Sequence, residues 1–115
     1  MNFSYEPDPQ IAGGLVVRLS GNLDISGAGK LWDDVSIRAG EETRFFIFDL
    51  TDVPIVTSAG IGTLVRFRVR LRGHGGAMAI CGCSNKIREV FSIVMLDDIL
   101  RVCDSEDEAR EKLAH

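Results

Sequence analysis

The chain has 115 residues, of which 45% are hydrophobic and 26% charged; this is the make-up of one globular domain, residues 1–115, whose core cannot spare residues for a large internal chamber. Its net charge of −4 excludes broad attraction to nucleic acid or anionic lipid, both of which select clustered cations, and leaves a protein partner or a small ligand at the surface. The opening MNFSYEPDPQ lacks a signal-peptide pattern, and the uncharged stretches 53–65 and 73–85 are short and glycine-broken, so no membrane span is expected and the expected location is the cytoplasm.

GGLVVRLSG, residues 13–21, is apolar, β-branched and glycine-bounded, and reads as a strand paired with a short one around Phe3–Tyr5. In NLDISGAGKLWDDVSIRAG, Ser26 is placed to cap a helix whose apolar residues Ala28, Leu31, Trp32, Val35 and Ala39 recur at helical spacing, with Gly40 as its stop. RFFIFDL, residues 44–50, has the apolar run of a central strand covered on both faces. After TDVP, two periods compete in IVTSAGIGTLVRFRVRLRGHGG. RFRVRLR alternates like a strand, while Ile61, Leu64, Val65, the Arg68 stem and Leu71 recur like a helix. Cap-type residues at its start and a glycine cluster at its end favour helix.

AMAICG, residues 77–82, reads as a short buried strand. SNKIREVFSIVML reads as a helix capped by Ser84, with Ile87, Val90, Phe91 and Val94 on one face. ILRVC at 99–103 is expected as a final strand. In SEDEAREKL, Ser105 and Glu108 stand at capping-box spacing and Ala109 and Leu113 point inward. Alternation of strands and helices predicts an α/β fold: a mixed, mainly parallel sheet of about five strands with about four helices. Cys81, Cys83 and Cys103 are neither a redox C-x-x-C nor a zinc knuckle, and His74 and His115 stand apart. The cysteines read as reduced thiols, and no metal or cofactor is expected.

The stretch VTSAGIG, residues 56–62, sets the hydroxyls of Thr57 and Ser58 at a strand-to-helix turn. A hydrolase elbow needs G-x-S-x-G with a histidine base, and Val56 occupies the first glycine position. Gly60 and Gly62 complete no phosphate-binding motif. Ser58 or Thr57 could simply cap the helix, with Ala59 and Gly60 small so that it packs closely. The same turn would also suit a phosphoryl switch: a phosphate adds about −1.5 to −2 charges, which a helix N-terminus accommodates and a tightly packed partner does not.

LSGNLDISGAGKL, FIFDLTDVPIVTSAGIGTLV and IREVFSIVMLDDILRVCDSEDEAREKL together resemble the STAS-domain anti-sigma factor antagonists of bacterial partner-switching systems. The resemblance covers most of the chain. It implies a STAS-like single domain that is not an enzyme, binds an anti-sigma factor serine kinase when unphosphorylated and thereby releases a sigma factor, and is reset by a serine phosphatase. The family's phosphorylatable serine, just before the (S/A)-G pair, falls on Ser58, and its turn aspartate on Asp24, beside Asn22.

Many members carry aspartate before the phosphoacceptor. Here that residue is Thr57, so Thr57 is the alternative acceptor, and a STAS domain that scaffolds a signalling or lipid-transport complex without phosphorylation remains the second reading. The expected contact surface is Asn22, Asp24, Asp49, Thr57, Ser58, Ala59, Gly60, Ile61 and Gly62. Asp24 and Asp49 would equally serve as a cap and a loop anchor. Arg66, Arg68, Arg70 and Arg72 read as a solvated, partly snorkelling set.

Overall fold

The computed structural model describes residues 1–40 and 42–114. β1 (Asn2–Pro7) pairs antiparallel with β2 (Gly14–Ser20), and β2 is followed by α1 (Ile25–Val35) and a 3-10 turn at Ser36–Arg38. β3 (Phe45–Asp52), α2 (Ser58–Gly73), β4 (Ala77–Cys81), α3 (Asn85–Ile93) and α4 (Glu106–Leu113) complete the chain. The sheet runs β1-β2-β3-β4, with β3 parallel to both β2 and β4.

The two faces of the sheet are filled unequally. Alternate residues of a strand face opposite sides, so Phe46, Phe48 and Leu50 join Val17, Leu19, Leu31, Leu64, Phe67, Leu71 and Phe91 in the larger core under α1, α2 and α3. Phe67 meets Phe46 and Phe48 edge-on, with ring centroids 5.0 and 5.3 Å apart, a favoured aromatic geometry. On the other face Val16, Ile47, Ala79, Cys81 and Cys103 form a small cluster closed by Ala109 and Leu113 of α4.

The competing periods at 55–76 resolve as helix. Gly60, Thr63, Leu64, Phe67 and Leu71 form the buried row of α2, while Val69 is exposed. Ile61, Val65 and Arg68 are half-buried at its side. The arginines are held in part by their neighbours: Arg66 stacks over Trp32 at 4.1 Å, Arg68 Nε donates to the Ile99 carbonyl at 3.1 Å, and Arg70 Nε donates to that of Ser36 at 3.2 Å.

Three local expectations are corrected. The cap of α1 is Asp24 rather than Ser26, its carboxylate accepting from the Gly27 N–H at 2.9 Å. The 3-10 turn then ends the helical segment before Gly40 is reached. The expected final strand contracts to a single bridge between Val102 and Ile80, leaving four strands. The residues before it are wound into turns, with the Leu100 N–H on the Leu96 carbonyl and Arg101 at a left-handed φ of 51°, so the chain extends too late to form a ladder. Among the described residues, no helix is long and apolar enough to cross a membrane.

A candidate docking and modification site at two helix starts

The loops after β2 and β3 are joined through their main chains. Leu23 N–H donates to the Ile55 carbonyl at 2.8 Å, Thr57 N–H donates to the Leu23 carbonyl at 3.0 Å, and Leu23 and Val56 form a parallel bridge. The Leu23 side chain is fully buried. This join sets the first turns of α1 and α2 side by side. Asp24, Ile25, Ser26, Thr57, Ser58 and Ala59 line one open concavity of about 730 Å³ between them.

The hydroxyls at 57 and 58 are not equivalent. Thr57 is the N-cap residue of α2, but its side chain makes no capping bond and its Oγ1 is turned back toward the Leu23 carbonyl at 3.4 Å. Ser58 is the first helical residue and is exposed. The start of α2 carries no acidic residue in its first turn and no side-chain cap, so the helix's positive dipole end is not offset there by a carboxylate of its own first turn. Asp24 is the one ionisable residue of the lining, and its carboxylate is already committed to α1.

Small residues are required where the helices meet the loops. A Cβ at Gly60 would lie 2.5 Å from the Leu23 carbonyl oxygen, and one at Gly27 would collide with the Asn22 carbonyl. Gly60 and the main chain of Asn22 therefore shape the site from behind, and the Asn22 side chain is exposed at its edge. Ile61 is half-buried and Gly62 exposed on the next turn of α2.

Asp49 lies elsewhere. It belongs to the sheet face covered by α4, where its Oδ1 accepts from Thr51 N–H at 2.9 Å and Thr51 Oγ1 at 2.6 Å, with Arg18 Nε 3.7 Å from its Oδ2. That is the loop-anchoring alternative, and Asp49 does not line the concavity. His74 caps the far end of α2, about 24 Å from Ser58 by the helical rise, too far to act as its base.

Sequence reasoning overlooked two apolar residues. Ile25 is 81% exposed in the lining and Ile55 is 51% exposed one residue before the Val56 bridge. Ile25 stands three and seven residues before Ala28 and Trp32, so its spacing disguises it as a core residue. Only the docked position of α1 puts it outside.

The STAS domain family model matches residues 5–109. The chain belongs to the STAS domain family. It is 26% identical over 94% of its length to the anti-sigma-B factor antagonist of Listeria monocytogenes, covering 95% of that protein. Its fold superposes with a TM-score of 0.84 on an anti-sigma factor antagonist from Mycobacterium paratuberculosis, at 19% identity, covering 99% of this chain and 94% of that one. The phosphorylated form of the Bacillus cell-fate determinant SpoIIAA gives a TM-score of 0.67 at 19% identity, covering 95% and 98% of the two chains.

Proposed function

We propose that this STAS domain is an anti-sigma factor antagonist, a non-enzymatic cytoplasmic regulator that docks on an anti-sigma factor kinase through the concavity between α1 and α2 and is released when Ser58 is phosphorylated. The observation that carries this reading is exposed Ser58 at a helix start without a side-chain cap, in a lining shared with the exposed, apolar Ile25, with exposed Ile55 three residues before it in the chain. Those isoleucines supply surface for a partner to dry, and the hydroxyl sits where that surface is entered.

The chemistry is one of charge. Transfer of a phosphoryl group to the Ser58 oxygen adds about −1.5 to −2 charges in a lining whose one ionisable group, Asp24, is itself an acid. In the free protein the dianion is met by solvent and by the N-terminal amides of α2. Beneath a partner that offers no cation it is buried uncompensated, at a cost of about 3–5 kcal/mol, which weakens binding more than about a hundredfold. Thr57 is the weaker acceptor candidate because its hydroxyl is half-buried and faces the Leu23 carbonyl. A serine phosphatase would restore the binding form. The names of the Listeria and Mycobacterium relatives, and the existence of SpoIIAA in a phosphorylated form, support the assignment.

The test incubates the protein with its cognate kinase and ATP and reads the intact mass of wild type, Ser58→Ala and Thr57→Ala. One phosphate on wild type and on Thr57→Ala, with none on Ser58→Ala, is expected. Phosphate persisting on Ser58→Ala refutes the site, and no phosphate on any form favours a scaffolding STAS domain.

A further inference from the structure

The free edge of β1 has the pattern of a surface that pairs with itself. Within the sheet, Asp8 N–H donates to the Gly14 carbonyl at 2.9 Å, and the register continues through Glu6–Val16, Ser4–Arg18 and Asn2–Ser20. Main-chain groups alternate sides along an antiparallel strand. Residues 2, 4, 6 and 8 therefore address β2, and the N–H and C=O groups of Phe3 and Tyr5 point away from the sheet. β1 is the end strand, and among the described residues these groups meet no further strand. Pro7 has no N–H to offer and ends the usable edge.

The side chains beside this edge are mixed, two half-buried aromatic rings and an exposed isoleucine standing among Asp34 and Arg38. Phe3 and Tyr5 lie on the helical face with ring centroids 6.4 Å apart, and they line a groove of about 410 Å³ with Ile37, which is 74% exposed. Arg38 lies over the Tyr5 ring at 3.9 Å, and the Tyr5 hydroxyl, though shut from solvent, has no hydrogen-bond partner among the described residues. Edge strands are ordinarily blunted by charge or by a covering element. Here Glu6 and Pro7 occupy only one end.

We propose that β1 pairs antiparallel with β1 of a second copy of this chain about a two-fold axis at Ser4, with Phe3 opposite the partner's Tyr5 and Tyr5 opposite the partner's Phe3. The register follows from three requirements. Both outward-facing residues must be used, which sets each aromatic against the other and gives two bonds for each of two pairs. Apolar residues must remain on one face, which forbids an odd shift. Like charges must not oppose, and here Glu6 faces the partner's Asn2, whereas a slide toward Pro7 opposes Glu6 to Glu6 or sets Phe3 against a residue without an N–H. The result is a continuous sheet through both copies, with Ile37 of each flanking the aromatic pairs. A six-residue strand and one isoleucine per copy make a small interface, so the dimer exchanges with monomer. None of the residues lining the Ser58 concavity belongs to β1, so pairing does not depend on the reading of that site.

Sedimentation equilibrium over a concentration series tests the association, and oxidative cross-linking tests the register. Wild type should rise about twofold in mass with concentration, and Ile37→Lys, whose native side chain is largely solvent-exposed, should stay monomeric with an unchanged circular dichroism spectrum. Ser4→Cys should form an interchain disulfide, because residues at that pair position lie about 4.5 Å apart at Cα. Asn2→Cys and Glu6→Cys should cross-link only when mixed with each other. A monomer at every concentration overturns the proposal, as does a dimer in which Ser4→Cys cross-links no better than wild type or Asn2→Cys alone.

Discussion

Two glycines of α2 separate shape from flexibility. A methyl group at Gly60 would meet the Leu23 carbonyl at 2.5 Å and the Leu23 side chain at 2.7 Å, whereas nothing lies within 4 Å at Gly62. Gly60→Ala should therefore cost about 1–3 kcal/mol in urea unfolding through overpacking, and Gly62→Ala should add about 0.4–1 kcal/mol by restricting the unfolded chain. Asp24 separates two roles in a similar way. Its carboxylate caps Gly27 at 2.9 Å, so Asp24→Ala should lose about 0.5–2 kcal/mol while Asp24→Asn, a residue that caps equally well, loses little. If the charge itself contacts the anti-sigma factor, titration calorimetry will find the asparagine protein stable yet weakened in binding.

At the scale of elements, α4 is held by charge as well as by the apolar contacts of Ala109 and Leu113. Arg110 pairs with Asp8 at 2.9 Å, Glu106 at 3.2 Å and Asp107 at 3.0 Å, and the Asp8 side chain is only 1% exposed. Arg110→Leu leaves that carboxylate only the Gln10 and Ile11 N–H groups on its Oδ1 and should cost about 1–3 kcal/mol, whereas Lys112→Ala, which breaks a 3.9 Å exposed pair, should change stability by less than about 0.5 kcal/mol; chemical melts of both proteins compare them directly. The cysteines under α4 give a pH prediction. Burial, with a smaller contribution from Asp49, pushes the Cys81 thiol up from 9.0 to about 12. The unfolded chain then loses this proton before the folded one does, so the stabilisation is complete below pH 9 and declines as pH rises toward 12. Melts between pH 8 and 11 should show this decline, and Cys81→Ala should reduce it. These elements also mark how far sequence could be read. Helices and strands with strong periods, such as residues 44–50 and 84–91, were legible because burial follows spacing, whereas Val94, expected on the same apolar face, lies past the helix end and is 44% exposed. The cap at Asp24 and the shrinkage of residues 99–103 were not, because a main-chain join to the next loop and a left-handed Arg101 decide them. The Thr57–Ser58 turn was legible as a motif, yet the difference between its two hydroxyls depends on a carbonyl 34 residues away.

For the whole molecule, the switch proposed at position 58 requires that stability and binding be separable. Ser58→Asp places one negative charge at the start of α2, where the helix dipole favours it, so its melting temperature should match or slightly exceed that of wild type while binding to the anti-sigma factor is lost. Thermal scans and calorimetry on the same sample check both halves, and a mutant that melts early would assign any loss of binding to damage of the fold. The join between Leu23, Ile55 and Thr57 has a bearing on how such a surface diversifies. It is made by peptide groups, so side chains at 25, 26, 55, 58 and 59 can be exchanged without altering the frame that presents them. Paralogous switches in one cell could thus acquire separate clients by rewriting a handful of letters around an unchanging hinge of backbone.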